Sequence, residues 1–230
     1  MSDTSGLQTL ESMNQADWYN QWSVSKFQKY LGGKILEVGC GIGNFTRKLS
    51  DFGEVYAIDI NKEYVGKKNR SSEVARIGYG DIESGKYFFN KKTFDCIVCL
   101  NVLEHIKDDE RALKNIKSLL NSNGVLILLI PTHKFLYGEI DKKLGHYRRY
   151  EKKNLLKKLN RIGFRVLSTR RLNFLGAIGW FIAGKVLKNA YVTRNKIKIF
   201  NLFAPLSLRF EDLMEPLIGT SLLVIARKSA

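Results

Sequence analysis

Four aliphatic runs, each ending on a small or polar residue, constrain the fold of this chain more than any other feature. They are "GKILEVGC" from Gly33, "EVYAIDI" from Glu54, "TFDCIVCLN" from Thr93 and "GVLILLIP" from Gly124. Runs that are apolar at consecutive rather than alternate positions belong to strands buried on both faces, as in parallel sheets. Helical spacing follows them. "DDERALKNIKSLLNSNG" opens with acids, keeps Leu113, Ile116, Leu119 and Leu120 on one side, and is predicted to stop at Gly124. "EKKNLLKKLNRIG" turns Leu155, Leu156, Leu159 and Ile162 inward and five basic residues outward. Strand alternating with helix predicts an α/β fold with helices on both faces of the sheet. "FRVLSTR" and "TSLLVIARK" read as two more strands. Residues 173–219 between them are too long for a plain connection. They are expected to form a hydrophobic helical insertion before the last strand: a lid, a dimer contact or a membrane-contacting element. Residues 1–230 are read as one domain carrying it.

A chain of 230 residues that is 44% hydrophobic can bury one good core with an elaboration. Its three cysteines suggest a reducing compartment rather than a disulfide scaffold. Cys96 and Cys99 form a C-x-x-C, but odd spacing within a buried strand sends their side chains to opposite faces. They read as core residues rather than half of a zinc site, and no metal is expected. The opening "MSDTSGLQTLESMNQADWYN" is polar, without an apolar signal region, and no apolar run reaches the roughly 18 residues of a spanning helix. The expected location is the cytoplasm, with peripheral attachment to the inner face of the membrane as a variant of it.

The glycines cluster at the end of the first run, in "ILEVGCGIGNFT". A dinucleotide site wants G-x-G-x-x-G, whose third glycine allows tight helix–strand packing beside a pyrophosphate. Here the glycines are Gly39, Gly41 and Gly43, and Asn44 stands in the third place. That spacing argues against a nicotinamide cofactor; S-adenosylmethionine, which has no phosphate, is the other candidate. Asp59 ends the second run, 20 residues past Gly39, where a carboxylate can accept from both ribose hydroxyls. In "IGYGDIES", Asp81 ends a third strand, placed to accept from an adenine amino group with Ile60 and Ile82 flanking the ring. Asn101 ends the fourth. Each alone is an ordinary turn residue; all of them at consecutive strand ends make a binding rim.

With "YNQW", "LEVGCGIGNFT", "NVLEHIKDD" and "LYGEIDKKLGHYRRY", the series resembles the class I S-adenosylmethionine-dependent methyltransferases over about residues 18–172 and the last strand. It is most similar to the small-molecule type, which includes the ubiquinone-pathway O-methyltransferases and methyltransferases associated with glycan gene clusters. The resemblance implies a Rossmann-like, seven-stranded, mostly parallel sheet with the last strand antiparallel, and S-adenosyl-L-methionine as cofactor. It implies that the loop Gly39–Gly43, Cys40 included, cradles the methionine portion with backbone amides, and that Glu37 sets that loop. Asp59 would hold the ribose, Asp81 and Ile82 the adenine, and Asn101 would lie beside the methionine end. Tyr19 and Trp22 either close over the site or pack into the core.

Methyl transfer from a sulfonium is an in-line displacement that depends mostly on alignment. A hydroxyl acceptor must also lose a proton, a task that suits histidine. His105 follows the fourth strand, closest to the expected methyl position. His146, in "GHYRRY", follows the fifth strand and can face the acceptor; His133, after Pro131, ranks below both. Tyr137, Asp141, Tyr147, Arg148 and Arg149 are the acceptor-side candidates, the adjacent arginines suiting a phosphate or carboxylate.

The net charge of +16 is confined to one segment. From Lys142 to Lys198 there are 17 basic residues and one acid, Glu151, leaving 21 basic and 21 acidic residues elsewhere. Such an excess implies an anionic partner. "FLGAIGWFIAGKVL" contains Trp180 and is followed by Lys188, Arg194, Lys196 and Lys198, the composition of a helix lying in a membrane interface. A buried lid or a homodimer contact accounts for it slightly better. Enzymes that methylate an exocyclic base amine resemble one another in having Asn or Asp, two prolines and an aromatic after the fourth strand. "NVLE" stands there in this chain, so nucleic acid is the weaker partner. The expected activity is O-methylation of a small, lipid-linked or glycan-linked acceptor, anionic in character. The alternatives are an RNA methyltransferase and a cofactor-binding, non-catalytic interaction protein.

Overall fold

The aliphatic runs pack as strands whose side chains alternate between two cores. A computed structural model describes residues 17–68, 75–186 and 194–229. In chain order the elements are α1 (Asp17–Ser25), β1 (Lys34–Val38), α2 (Thr46–Leu49), β2 (Glu54–Asp59), α3 (Lys62–Lys68), β3 (Ala75–Asp81), β4 (Lys86–Tyr87), β5 (Phe94–Leu100), α4 (Asp109–Leu119) and β6 (Leu120–Pro131). They continue with α5 (Glu139–Lys143), α6 (Lys152–Ile162), β7 (Phe164–Leu172), α7 (Phe174–Phe181), α8 (Arg194–Leu213) and β8 (Ser221–Lys228). The polar opening residues 1–16 and Lys188 lie outside the described residues.

The strands form one sheet in the order β4-β3-β2-β1-β5-β6-β8-β7. Strands β3, β2, β1, β5 and β6 are parallel, whereas β8 is antiparallel to both its neighbours. The last strand is thus antiparallel, as expected, and the expected seven strands are joined by the two-residue β4, which pairs antiparallel with the end of β3.

Register shows the alternation directly. Ile35 is opposite Cys96, which is opposite Val125, and all three enter one core. Leu36, Ile97 and Leu126 are the next row and enter the other. Cys96 and Cys99 accordingly fall in different cores, both buried, with burial raising the Cys96 thiol to about 12. Helices α4 and α6 cover one face through Leu113, Ile116, Leu155, Leu159 and Ile162, each fully buried side chain contributing ~1.5–3 kcal/mol.

Two helix ends differ in kind. Helix α6 stops at Gly163, whose φ of +97° makes it a left-handed cap, as the sequence suggests. Helix α4 begins where Asp108 accepts from the Arg111 amide, but ends at Leu119 rather than at Gly124. Leu120 pairs with Phe94 and starts β6, and Asn123 takes the left-handed turn at φ +63°. Tertiary strand pairing outweighs the helical spacing of the last residues.

The chain runs outward from β1 to β2 and β3, then returns to β5 on the other side of β1. Crevices at the carboxyl ends of parallel strands open where the order reverses in this way. Among the described residues no helix is long and apolar enough to cross a membrane.

Candidate active site

The crevice between the ends of β1 and β5 has a floor that only glycine fits. Gly39, Gly41 and Gly43 have φ of +75°, +50° and +82°. A Cβ on Gly39 would lie 2.2 Å from Cγ2 of Val102, in the turn after β5. The loop therefore presses directly on the opposite lip of the crevice. Its amides point elsewhere than the resemblance suggested: Gly39 and Cys40 donate to the Ile58 carbonyl, and Gly43 to that of Cys40. Gly41 donates to Asp59 Oδ2 at 2.7 Å. Buried amides need partners, and these find them within the protein.

Asp59 is the hinge of this half. Its Oδ1 accepts the Asn61 amide at 2.8 Å. Burial raises its pKa, opposed by these amide hydrogen bonds. The Ile60 amide favours the charged form as well, so of the four lone pairs of the carboxylate one remains for a further donor. Ile60, next in the chain, is 65% exposed, an apolar surface with no core to join. Asp81 Oδ1 accepts the Glu83 and Ser84 amides, which hold its pKa down against the upward pull of burial. Ile82 is buried beside it. Glu37 is buried and accepts from Thr46 Oγ1 at 2.6 Å, tying the glycine loop to the start of α2. Asn101 takes φ +54° at the end of β5, a costly conformation for a residue with a side chain.

The acceptor-side residues form a second, denser group. Asp141 of α5 is wholly buried, and its Oδ1 meets His146 Nδ1 at 2.8 Å and accepts from Arg149 Nε at 2.8 Å. Its Oδ2 accepts from Trp180 Nε1 at 3.0 Å and from the Gly138 amide at 3.1 Å. Burial would raise this carboxyl, but the His146 hydrogen bond, the Arg149 charge and the Trp180 donor hold it below its ordinary range. The His146 ring stands edge-on to His105, centroids 4.7 Å apart. His105 ends the short turn that begins after Val102. A continuous contact path thus runs from Gly39 through the 102–105 turn to His146. Tyr137 donates its hydroxyl to the His146 carbonyl at 2.9 Å, and Tyr147 is exposed.

Several expectations change. Arg149 is buried, donates to Asp141 and to the Thr132 carbonyl, and stacks over the Trp180 ring, so it faces inward rather than toward an anionic ligand. Arg148 is tied to the Lys107 carbonyl and to Asp109. Trp180 points at Asp141, away from any membrane interface. Tyr19 packs with Leu208 of α8, and Trp22 donates to Asp212 just beyond, so both support the helices after β7 rather than closing over the glycine loop. His133 adopts φ +64° with its Nε2 buried and unpartnered, and burial lowers its pKa.

Glu104 is the residue the sequence reading missed. It is 1% exposed, and burial raises its pKa to about 7 despite the opposing pull of His146 and Arg149. Its Oε2 has no hydrogen-bond partner. Glu104, His105 and His146 can each bring one ligand atom within 4.8 Å of the others, a spacing compatible with a cation. The available signal was an acid directly before His105 in "NVLEH".

This site has relatives. A family profile described as a methyltransferase domain matches residues 19–169. The chain belongs to that methyltransferase-domain family. An uncharacterized protein of Methanocaldococcus jannaschii is 24% identical over 67% of this chain and 65% of its own length. A ubiquinone biosynthesis O-methyltransferase of Haemophilus ducreyi is 25% identical over 45% of this chain and 48% of its own. The chain therefore spans about half to just under two-thirds of the length of these curated relatives. Among solved structures, an N-methyltransferase of Bradyrhizobium japonicum, in complex with S-adenosyl-L-homocysteine, superposes with a TM-score of 0.58 at 15% identity, covering 94% of this chain and 88% of that one. That likeness establishes the shared fold.

S-adenosylmethionine is the cofactor of this family, and the residues fit it. Asp59 retains acceptor capacity at the rim, and Ile60 beside it offers an uncovered apolar face.

Proposed function

We propose that this methyltransferase domain methylates a hydroxyl oxygen on a small, lipid-linked or glycan-linked acceptor, with His146 as general base. The observation that carries this reading is the buried Asp141–His146 hydrogen bond of 2.8 Å, on the far side of the 102–105 turn from the glycine loop. S-adenosylmethionine, when bound, supplies the electrophilic methyl group. Asp59 would hold the ribose hydroxyls, Asp81 and Ile82 the adenine, and the loop Gly39–Gly43, set by Glu37, would take the methionine portion, with Asn101 beside it.

Asp141 keeps the proton of His146 on Nδ1, which leaves Nε2 as the acceptor for the substrate's hydroxyl proton. The imidazolium formed on proton uptake is stabilised by the same carboxylate, whose remaining charge is shared with Arg149 and Trp180. His105, edge-on to His146, lies beside that proton path, and Tyr137 holds the His146 backbone in place. General-base assistance of this kind contributes ~10²–10⁴-fold to rate.

The test is incubation with cofactor carrying a carbon-13 methyl group and fractions of lipid, glycan, small-molecule and RNA pools. An O-methyl chemical shift in a lipid, glycan or metabolite fraction is expected; an N-methyl product, or label confined to RNA, removes the reading. Proton transfer by His146 needs no metal, so activity is expected to survive chelation. Loss that a divalent cation restores would make Glu104, His105 and His146 ligands instead.

A further inference from the structure

We propose that the outward faces of α7 and α8 form a docking surface for an anionic lipid bilayer. This inference stands apart from the chemistry of the acceptor, because it concerns residues on the other side of these helices from Asp141.

The two helices carry their amphipathic pattern reversed. On α7 and the helical turn that continues it, Ile178, Phe181 and Ile182 recur at i, i+3 and i+4 and are 42%, 43% and 46% exposed. On α8, Leu206, Phe210 and Leu213 recur at i, i+4 and i+7 and are 65%, 65% and 87% exposed. The inward positions hold mostly small or polar residues, Ala177 and Ala183 on the first helix and Ala204 and Glu211 on the second, beside one large apolar side chain, Leu208. A surface helix of a soluble domain places its large apolar side chains the other way round. Among the described residues, ten of the fourteen exposed large apolar side chains fall between 174 and 218, in the one stretch of chain that holds these helices.

The reversal is fixed by buried polar contacts. Glu211 on α8 is buried and accepts the amides of Asn173 and Phe174 at 2.7 and 2.8 Å, capping the start of α7. Arg170 donates to the Glu211 carbonyl, and Trp22 and Lys26 of the core both reach Asp212. On the inner side of α7, Trp180 is anchored to Asp141. Rotating α8 to bury its apolar stripe would uncap the start of α7, and rotating α7 would also take the indole donor from Asp141.

Charge selects the occupant. From Phe174 to Phe210 the sequence has six lysines and arginines and no acid, and the acids that follow are engaged, Asp212 with Lys26 and Glu215 with Arg171. An apolar ridge set in a cationic segment complements acyl chains beneath anionic headgroups. A second copy of this chain would bring the same positive charge against itself, and a neutral partner would leave that charge unanswered.

The experiment is vesicle flotation of the intact chain, with mixed phosphatidylglycerol–phosphatidylcholine or pure phosphatidylcholine vesicles at low and high salt. Sedimentation velocity without lipid runs alongside. The protein is expected to float with the anionic vesicles at low salt, less at high salt, and to sediment as a monomer. The double variant Phe181→Ser, Phe210→Ser, both at exposed positions that folding does not need, is expected to lose at least ~10-fold in bound fraction while keeping its cofactor affinity. Three results would overturn the proposal: no flotation at low salt, equal flotation on neutral vesicles, or a dimer that the same variant dissociates in a protein that ignores vesicles.

Discussion

The two lips of the crevice hold their charged groups in opposite ways. On the β1–β3 side the two acids at the strand ends are satisfied by backbone amides: Asp59 by those of Gly41 and Asn61, Asp81 by those of Glu83 and Ser84. On the β5–β6 side Asp141 gathers three side chains, His146 and Arg149 from the segment that follows it and Trp180 from α7. These amides preorganise the rim, tying Asp59 to the glycine loop but not to Asp81. A shared buried carboxylate couples everything that touches it. The cofactor half should therefore lose function piece by piece, and the acceptor half as a unit.

The most damaging change separates the two halves. His146→Ala should lower turnover ~10²–10⁴-fold while leaving S-adenosylmethionine affinity, measured by calorimetry, unchanged. An equal loss of affinity would show that the lips are one coupled site. The converse variant, Asp59→Ala, should weaken cofactor binding ~10–100-fold, the scale of lost charge-assisted hydrogen bonds. Turnover at saturating cofactor should largely persist. Unchanged affinity would take Asp59 out of the ribose role.

The same contrast explains what could be read from the sequence. The rim residues follow their strands within a few positions, so Gly39, Asp59, Asp81 and Asn101 were legible from strand ends alone. The sheet was legible for the same reason, since each run states its own burial. Asp141, His146 and Arg149 were visible as candidates, because they lie within nine residues of one another. Their connectivity was not: nothing in "GHYRRY" says that Arg149 turns inward while Arg148 reaches Lys107. Trp180 was read as an interface anchor because it lies in an apolar run. The bond to Asp141 that turns it inward joins residues 39 apart in sequence. Glu104 went unread because only tertiary burial makes an ordinary turn acid unusual.

Glu104 offers a sharper test of the coupled half, through stability. Its pKa is raised by burial from 4.5 to about 7. Its folded form thus favours the proton, and its contribution to stability is full below pH 4.5 and is lost as pH rises through about 7. Glu104→Gln cannot ionise and should not suffer that loss. Relative to the parent, the variant should gain on the order of 2 kcal/mol, or about 5 °C in melting temperature, on going from pH 5 to pH 8. A pH-independent difference would mean that Glu104 is not held neutral.

Trp180→Phe should have the smallest effect and the opposite pH signature. Phenylalanine keeps an aromatic ring near Arg149 but removes the donor to Asp141, at a cost of ~1.5 kcal/mol, the lower end for a hydrogen bond to a charged group. Asp141 has a depressed pKa, so its contribution is present above the ordinary carboxylate value of 3.8 and lost only as pH falls through its lower folded value. The deficit of the variant in chemical denaturation should therefore be flat from pH 8 to pH 5 and shrink only in stronger acid. Two neighbouring carboxylates would then report through separate windows, one near neutrality and one in acid. A deficit that changes between pH 8 and pH 5 would mean that the indole acts on Glu104 instead, and that the network centred on Asp141 is drawn around the wrong carboxylate.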